Sequence, residues 1–244
     1  MQTPKKAFIL AGGKGERLRP LTLEKPKPML HVKGMPILDW NVRTLAHFGV
    51  KEIVLGVNYM HEKIRGHFGS GKDWGVKIVY SKEEEYLGTG GALKFAEKLL
   101  GRGRFVMLNG DNMMDIDYED MLKVHERNNA SGTLALVEIE NPKKFGVVEM
   151  DARNSERITK FTEKPGQEIE KGLINAGAYI LEPSVFALLP QGFSLIEKTA
   201  FPELAGKGKL YGFLHKGQFF ATDDMERYSR ACEKWKGHKC VPEE

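Results

Sequence analysis

Apolar positions fall into short unbroken runs along the first half of this chain and into turn-separated runs along the second. The runs at 7–11, 52–57, 76–80, 105–109 and 133–138 have strand length, and several are apolar enough to be buried on both faces. Between them, 37–48, 60–68, 89–100 and 118–128 carry apolar residues at helical spacing. This alternation predicts an α/β fold with a Rossmann-like, doubly wound, mostly parallel sheet. Further on, 146–149, 158–163, 175–181 and 209–214 read as strands joined by turns, with helices over 184–189 and 225–236. That half predicts a smaller mixed-sheet extension built on the first. No long linker, low-complexity tract or internal repeat intervenes, so residues 1–244 read as one domain with halves at about 1–140 and 141–244.

Doubly wound sheets take ligands outside the carboxyl ends of their strands. The first run ends in Leu10-Ala11-Gly12-Gly13-Lys14-Gly15, a turn whose backbone N–H groups can point at a phosphate. Between Gly12 and Leu30 stand five cations (Lys14, Arg17, Arg19, Lys25, Lys27) and two carboxylates (Glu16, Glu24), which suits a ligand with several phosphates. The run at 105–109 ends in Asn109-Gly110-Asp111, so Asp111 is expected on the same crevice. A carboxylate there is a common way to hold Mg²⁺ beside phosphates, although Gly-Asp by itself also makes an ordinary turn.

Composition narrows the partners. With 41% hydrophobic and 29% charged residues the 244-residue chain can bury a sizeable core, and its net charge of +4 accepts anionic substrates. No basic run carries interleaved aromatics, so nucleic acid is not expected, and no apolar stretch approaches the roughly 20 residues of a membrane span. Lys5-Lys6 before residues 7–11 imitates a signal peptide only faintly, and a cytoplasmic location is expected. Cys232 and Cys240 lack metal-ligand spacing; a reducing compartment favours two thiols over a disulfide between them. The seven histidines form no HExxH, and neither GxxxxGK[ST] nor GxGxxG is present. Zinc hydrolases, P-loop enzymes and dinucleotide-dependent oxidoreductases are disfavoured accordingly.

The run Leu10-Ala11-Gly12-Gly13-Lys14-Gly15-Glu16-Arg17-Leu18-Arg19-Pro20-Leu21-Thr22, followed by Lys25-Pro26-Lys27-Pro28-Met29-Leu30, resembles the signature of sugar-1-phosphate nucleotidyltransferases. The resemblance continues in order through Leu87-Gly88-Thr89-Gly90-Gly91-Ala92, Asn109-Gly110-Asp111, Phe145-Gly146-Val147-Val148, Phe161-Thr162-Glu163-Lys164-Pro165 and Ile174-Asn175-Ala176-Gly177. It implies a Mg²⁺-dependent enzyme that joins a nucleoside triphosphate to a sugar 1-phosphate and releases pyrophosphate. Two anions must meet in that reaction, so fixed cations and a metal ion have to cancel their repulsion.

By this resemblance, Arg17 neutralises the β- and γ-phosphates, Lys27 sits between the α-phosphate and the attacking phosphate, and Asp111 holds the metal. Leu10, Ala11, Gly12, Gly13, Lys14, Gly15, Gly88, Thr89, Gly90, Asn109 and Gly110 belong to the nucleotide side. Gly146, Glu163, Lys164 and Asn175 belong to the sugar phosphate. Among Glu83-Glu84-Glu85 the first two read as solvated, and Glu85 is assigned to the nucleotide because guanylyltransferase relatives carry Glu-Pro-Leu-Gly-Thr there. This chain has Tyr86 in place of that proline.

A second departure concerns the metal. Relatives often carry Trp-x-Asp-x-Gly-Thr near the end, and an ungapped alignment puts Phe219 at the tryptophan and Ala221 at the metal-binding aspartate. Asp223 is the expected substitute; Asp115 is expected in a turn or helix start. The motif set looks most like GTP-dependent enzymes for manno-configured hexose or heptose 1-phosphates. UTP- or dTTP-dependent transfer to glucose 1-phosphate, cytidylyl transfer, and a non-catalytic nucleotide-sugar-binding subunit are the alternatives. A homo-oligomer is compatible with the sequence, and no hexapeptide repeat of the β-helix found in longer members is read.

Overall fold

A computed structural model describes residues 3–166 and 168–238. The first apolar run is β1 (Lys6–Leu10). A glycine-rich loop, the single turn α1 (Leu21–Glu24), and a ribbon of β2 (His31–Val32) and β3 (Met35–Pro36) follow. Next come α2 (Ile37–Phe48), β4 (Glu52–Val57), α3 (His61–Phe68) and β5 (Lys77–Lys82). Then α4 (Gly88–Phe95) and α5 (Glu97–Leu100) lead to β6 (Phe105–Asn109), β7 (Asn112–Met114) and α6 (Tyr118–Arg127). The second half runs through β8 (Gly132–Glu140), β9 (Gly146–Met150), β10 (Ile158–Glu163) and β11 (Lys171–Leu181). It ends with α7 (Ala200–Gly206), β12 (Leu210–Leu214), β13 (Phe219–Ala221) and α8 (Met225–Lys234).

Strands β5, β4, β1 and β6 pair in parallel in that order, as the βα alternation requires. Beyond β6 the same sheet continues through β11, which runs antiparallel to β6, β8 and β9. With β10 and β12 it reaches nine strands. Successive residues of β1 serve opposite cores: Ala7 and Ile9 pack under α2, α3 and α6, whereas Phe8 packs with α4 and α7. A third cluster joins Leu18, Trp40 and Trp235 beneath α8.

Three helix predictions need correction. The helix expected over 89–100 is divided at Ala96 into α4 and α5. The one over 184–189 is a 3₁₀ turn, Pro183–Leu188. The last ends at Lys234, because Trp235 turns in and packs edge-on against Trp40, with ring centroids 5.7 Å apart. Helix α7 was not expected, since Pro202 and Gly206 break its pattern; the proline stands in the first turn, where no helical N–H is lost. Strands β8 and β11 are longer than their apolar runs, because β8 ends in an alternation of half-buried and exposed residues. Cys232 is a free thiol, and Cys240 lies outside the described residues. No helix among the described residues is long and apolar enough to cross a membrane.

Candidate active site

The register of the parallel strands builds the cleft. Leu10 lies level with Gly56 on one side and Asn109 on the other, so the loops after β1 and β6 leave the sheet at one edge. Gly110 donates its N–H to the Leu10 carbonyl (2.9 Å), and a Cβ on Gly110 would stand 2.6 Å from that oxygen. Close backbone contact therefore brings Asp111 beside the basic loop. Leu10, Ala11, Gly12, Gly13, Gly88, Thr89, Asn109 and Asp111 line one compartment. Gly12, Gly13, Lys14, Gly15, Arg17, Asp111 and Asp223 line a second, contiguous one.

Lys27 joins the two compartments. Its Nζ donates to Asp111 Oδ2 at 2.6 Å, and its side chain is only 8% exposed. Gly15 fits against it in the left-handed conformation (φ 62°), with the Lys27 Cβ just below where a side chain would begin. Thr22 secures that turn by donating its hydroxyl to the Gly15 carbonyl (2.9 Å). Arg17 reaches from the same loop to Asp223 (2.8 Å) but stays mostly exposed.

Asp223 arrives by an element that the sequence reading lacked. Strand β13 pairs antiparallel with β7, Ala221 lying opposite Asn112, and Thr222 donates its hydroxyl to the Asp111 carbonyl (2.7 Å). The next side chain, Asp223, thus enters the wall that also holds Asp111. Burial alone would raise the Asp223 pKa. The hydrogen bond from Arg227 (2.6 Å) and the charges of Arg227, Arg17 and Lys27 outweigh it and hold the carboxyl below its usual range. Asp115 is placed elsewhere: it accepts from the Gln218 backbone N–H (2.6 Å) and lies 3.1 Å from His215, fixing the turn before β13.

Among Glu83-Glu84-Glu85 the solvated reading of Glu83 is corrected. Strand β5 continues past its end, with the Glu83 N–H donating to Val57 (3.0 Å), and the period of two points Ser81 and Glu83 inward. Glu83 is 5% exposed, lines the first compartment and accepts from the Leu87 N–H (3.1 Å). Burial raises its pKa, partly offset by that hydrogen bond. Glu85 is exposed and does not line either compartment. The two-residue alternation was the signal that could have set Glu83 apart from Glu84, whereas Glu85 lies in the bend beyond the strand.

The glycines of 88–91 also meet a packing requirement. A Cβ on Gly88 would stand 2.5 Å from the Ser194 carbonyl, one on Gly90 2.7 Å from the Ser194 hydroxyl, and one on Gly91 2.1 Å from the Gly192 carbonyl. They seat the 192–196 loop against the start of α4. Thr89 then donates to Glu197, a buried carboxylate absent from the sequence reading, whose pKa is raised chiefly by burial and further by Glu163.

Gly146 faces Glu163 across the β9–β10 ladder, and its missing side chain makes room for Phe161 and Glu163. Lys164 stands 3.3 Å from the Glu163 carboxylate. Strand β11 bulges after Asn175, whose amide donates to the Tyr179 hydroxyl (2.9 Å) and accepts from the Gly177 N–H (2.9 Å). One donor and one lone pair of Asn175 remain for a ligand. Gly177 holds the bulge at φ 82°, and a Cβ there would meet the Asn112 and Asn109 amides at 2.5 and 2.8 Å. Gly177→Ala is therefore expected to cost about 2–4 kcal/mol. An unchanged Tm in thermal melting would contradict that account.

Among the described residues no three His, Cys, Asp or Glu side chains form a metal cluster. Asp111 and Asp223 do offer two carboxylates to one cleft, with Asp223 kept ionised, and hard oxygen donors of this kind fit Mg²⁺ whose remaining ligands come from phosphates.

A phosphate-sized basic loop at the carboxyl edge of a doubly wound sheet, faced by paired lysine and aspartate, defines a nucleotide-handling fold. The sequence pattern of the family described as nucleotidyl transferase matches residues 6–229, and the chain belongs to that family. It is 41% identical over 211 residues, 85% of its length, to the mannose-1-phosphate guanyltransferase of Yarrowia lipolytica. It is 40% identical over 215 residues to the mannose-1-phosphate guanylyltransferase catalytic subunit beta of Danio rerio. The match spans 58% and 59% of those two proteins' lengths. The crystal structure of HddC from Yersinia pseudotuberculosis complexed with GMP-PN superposes with a TM-score of 0.79 and 29% identity, covering 95% of this chain and 100% of that one.

Proposed function

We propose that this chain transfers GMP from GTP to a manno-configured sugar 1-phosphate, giving a GDP-sugar and pyrophosphate. The observation that carries the reading is the pairing of buried Lys27 with Asp111, set between a glycine-rich basic loop and a buried acceptor, Glu83. Guanine presents two neighbouring donors, N1–H and the N2 amino group, and a carboxylate can accept from both. The names of the two relatives and the GMP-PN complex of HddC support the same nucleotide and, for the sugar, mannose.

In this reading a sugar-phosphate oxygen forms a bond to the α-phosphorus as the bond to the β-phosphate oxygen breaks, and the electron pair leaves with pyrophosphate. Lys27 lies where it can hold both the attacking and the attacked phosphate, reducing their repulsion. Arg17 takes the departing pyrophosphate, its planar fork matching two oxygens at once. The backbone of Gly12 and Gly13 cradles the triphosphate. Glu163, Lys164 and Asn175 hold the sugar phosphate, with Tyr179 and Glu197 supporting them from behind. Asp111 and Asp223 would hold Mg²⁺, which when bound supplies charge neutralisation at the phosphates. Nucleotide phosphates would take Arg17 and Lys27 from their present carboxylate partners, freeing those oxygens.

The test crosses GTP, UTP, dTTP, CTP and ATP with mannose, glucose, N-acetylglucosamine and manno-heptose 1-phosphates, reading pyrophosphate release with Mg²⁺. Release only with GTP and a manno-configured partner is expected; silence throughout would leave a binding protein. Asp223→Ala is expected to lower activity about 10- to 100-fold and to raise the Mg²⁺ needed for half-activity. Loss no larger than in the exposed control Glu84→Ala would remove Asp223 from the metal site.

A further inference from the structure

Tyr86 stands where the two compartments meet. It lines both, together with Gly12, Gly13, Lys27 and Asp111. A nucleotide with its base near Glu83 and its phosphates on the glycine loop must pass this side chain. The ring is nevertheless 60% exposed, and Phe193 beside it, 63% exposed, lies with its centroid 6.1 Å away. Phe193 is held over the start of α4, its ring edge 3.1 Å from where a Gly88 side chain would begin. A large aromatic ring, Tyr86, is thus left mostly in water on the wall of the cleft, with the exposed Phe193 packed behind it.

We propose that Tyr86 is a nucleotide-binding residue that closes over the nucleoside, its ring stacking on the base while Phe193 backs it. This rests on the nucleotidyltransferase reading of the same cleft. Partial burial and the carboxylates of Glu197, Glu83 and Asp111 raise the Tyr86 pKa, so the hydroxyl stays protonated. The chain resembles relatives that carry proline at this position, and proline has no planar face to offer. Stacking needs only a π-face, so the contact adds affinity for any nucleoside while Glu83 chooses among them. The residue touches nucleoside and not the reacting phosphates, so its effect belongs in KM for the triphosphate rather than in kcat.

The test is steady-state pyrophosphate release by wild type, Tyr86→Phe, Tyr86→Ala and Tyr86→Pro, varying GTP at saturating mannose 1-phosphate and then the reverse. Tyr86→Ala and Tyr86→Pro are expected to raise KM for GTP about five- to a hundredfold with kcat nearly unchanged, and Tyr86→Phe to stay within about twofold of wild type. A KM for GTP within about twofold of wild type in Tyr86→Ala would overturn the proposal. So would a loss that falls on mannose 1-phosphate instead. If wild type turns over a different triphosphate or sugar phosphate, the guanylyl reading fails, and the same variants tested on that pair still decide the role of Tyr86.

Discussion

Lys27→Met should cut kcat/KM about a hundred- to a thousandfold while the protein stays folded. The lysine is buried along its stem, and methionine keeps most of that volume, so packing is largely retained. Its partner Asp111 is 37% exposed and can recover water when the ammonium is gone, so the penalty for a fully buried orphan charge does not apply. What disappears is the cation between two anions. Removing one well-aimed electrostatic donor from a shielded site costs about 10²–10³ in rate, or about 2.7–4 kcal/mol of transition-state stabilisation. Pyrophosphate release and thermal melting should therefore separate, with a large kinetic loss and a small change in Tm. Activity within about fivefold of wild type would move Lys27 away from the reacting phosphates.

Glu83→Gln should lower kcat/KM for GTP about a hundred- to ten-thousandfold and improve UTP or dTTP relative to GTP. A site shaped to hydrogen-bond one ligand rejects another chiefly by leaving buried polar groups unpaired. The carboxylate accepts twice, matching the two donors of guanine; an amide offers one donor and one acceptor, as the N3–H and adjacent carbonyls of uracil require. Stability should move the other way. The native carboxyl is raised by burial, meaning that its ionised form is disfavoured in the folded protein, and a neutral amide removes that cost. A Tm equal to or above wild type with collapsed GTP turnover is the expected pair of results. Unchanged preference across the five triphosphates would assign base reading elsewhere.

The central fold was legible because its strands are unbroken apolar runs and the residues lining the cleft lie at their ends. Residues 105–109 could be read as a strand and Asp111 as its exit without any tertiary information. The parts that were not legible depend on contacts distant in sequence. Strand β13 is three residues long and exists because it pairs with β7 more than a hundred residues earlier; only that ladder explains how Asp223 reaches Asp111. Glu197 gains meaning from Thr89, 108 residues away. Glu83 and Glu85 have the same chemistry and the same parity; what separates them is where the chain leaves the sheet, with Glu83 still bonded to Val57 of β4 and Glu85 in the bend beyond. The glycines at 88–91 were recognisable as a motif, but their neighbour, the Ser194 turn, was not.

Strand β11 has a mechanical consequence. Its end at Ala178–Leu181 is stitched to β6, which delivers Asn109 and Asp111, and its start at Leu173 and Ile174 is stitched to β9, just ahead of Asn175. One strand therefore spans what the proposed function makes the nucleotide side and the sugar side of the cleft. In the proposed reading the spacing between the two substrate seats is set by this one continuous strand and its bulge at Asn175–Tyr179. In that reading, substrates of different length would be accommodated by the loops at the rim, and products would leave past those loops.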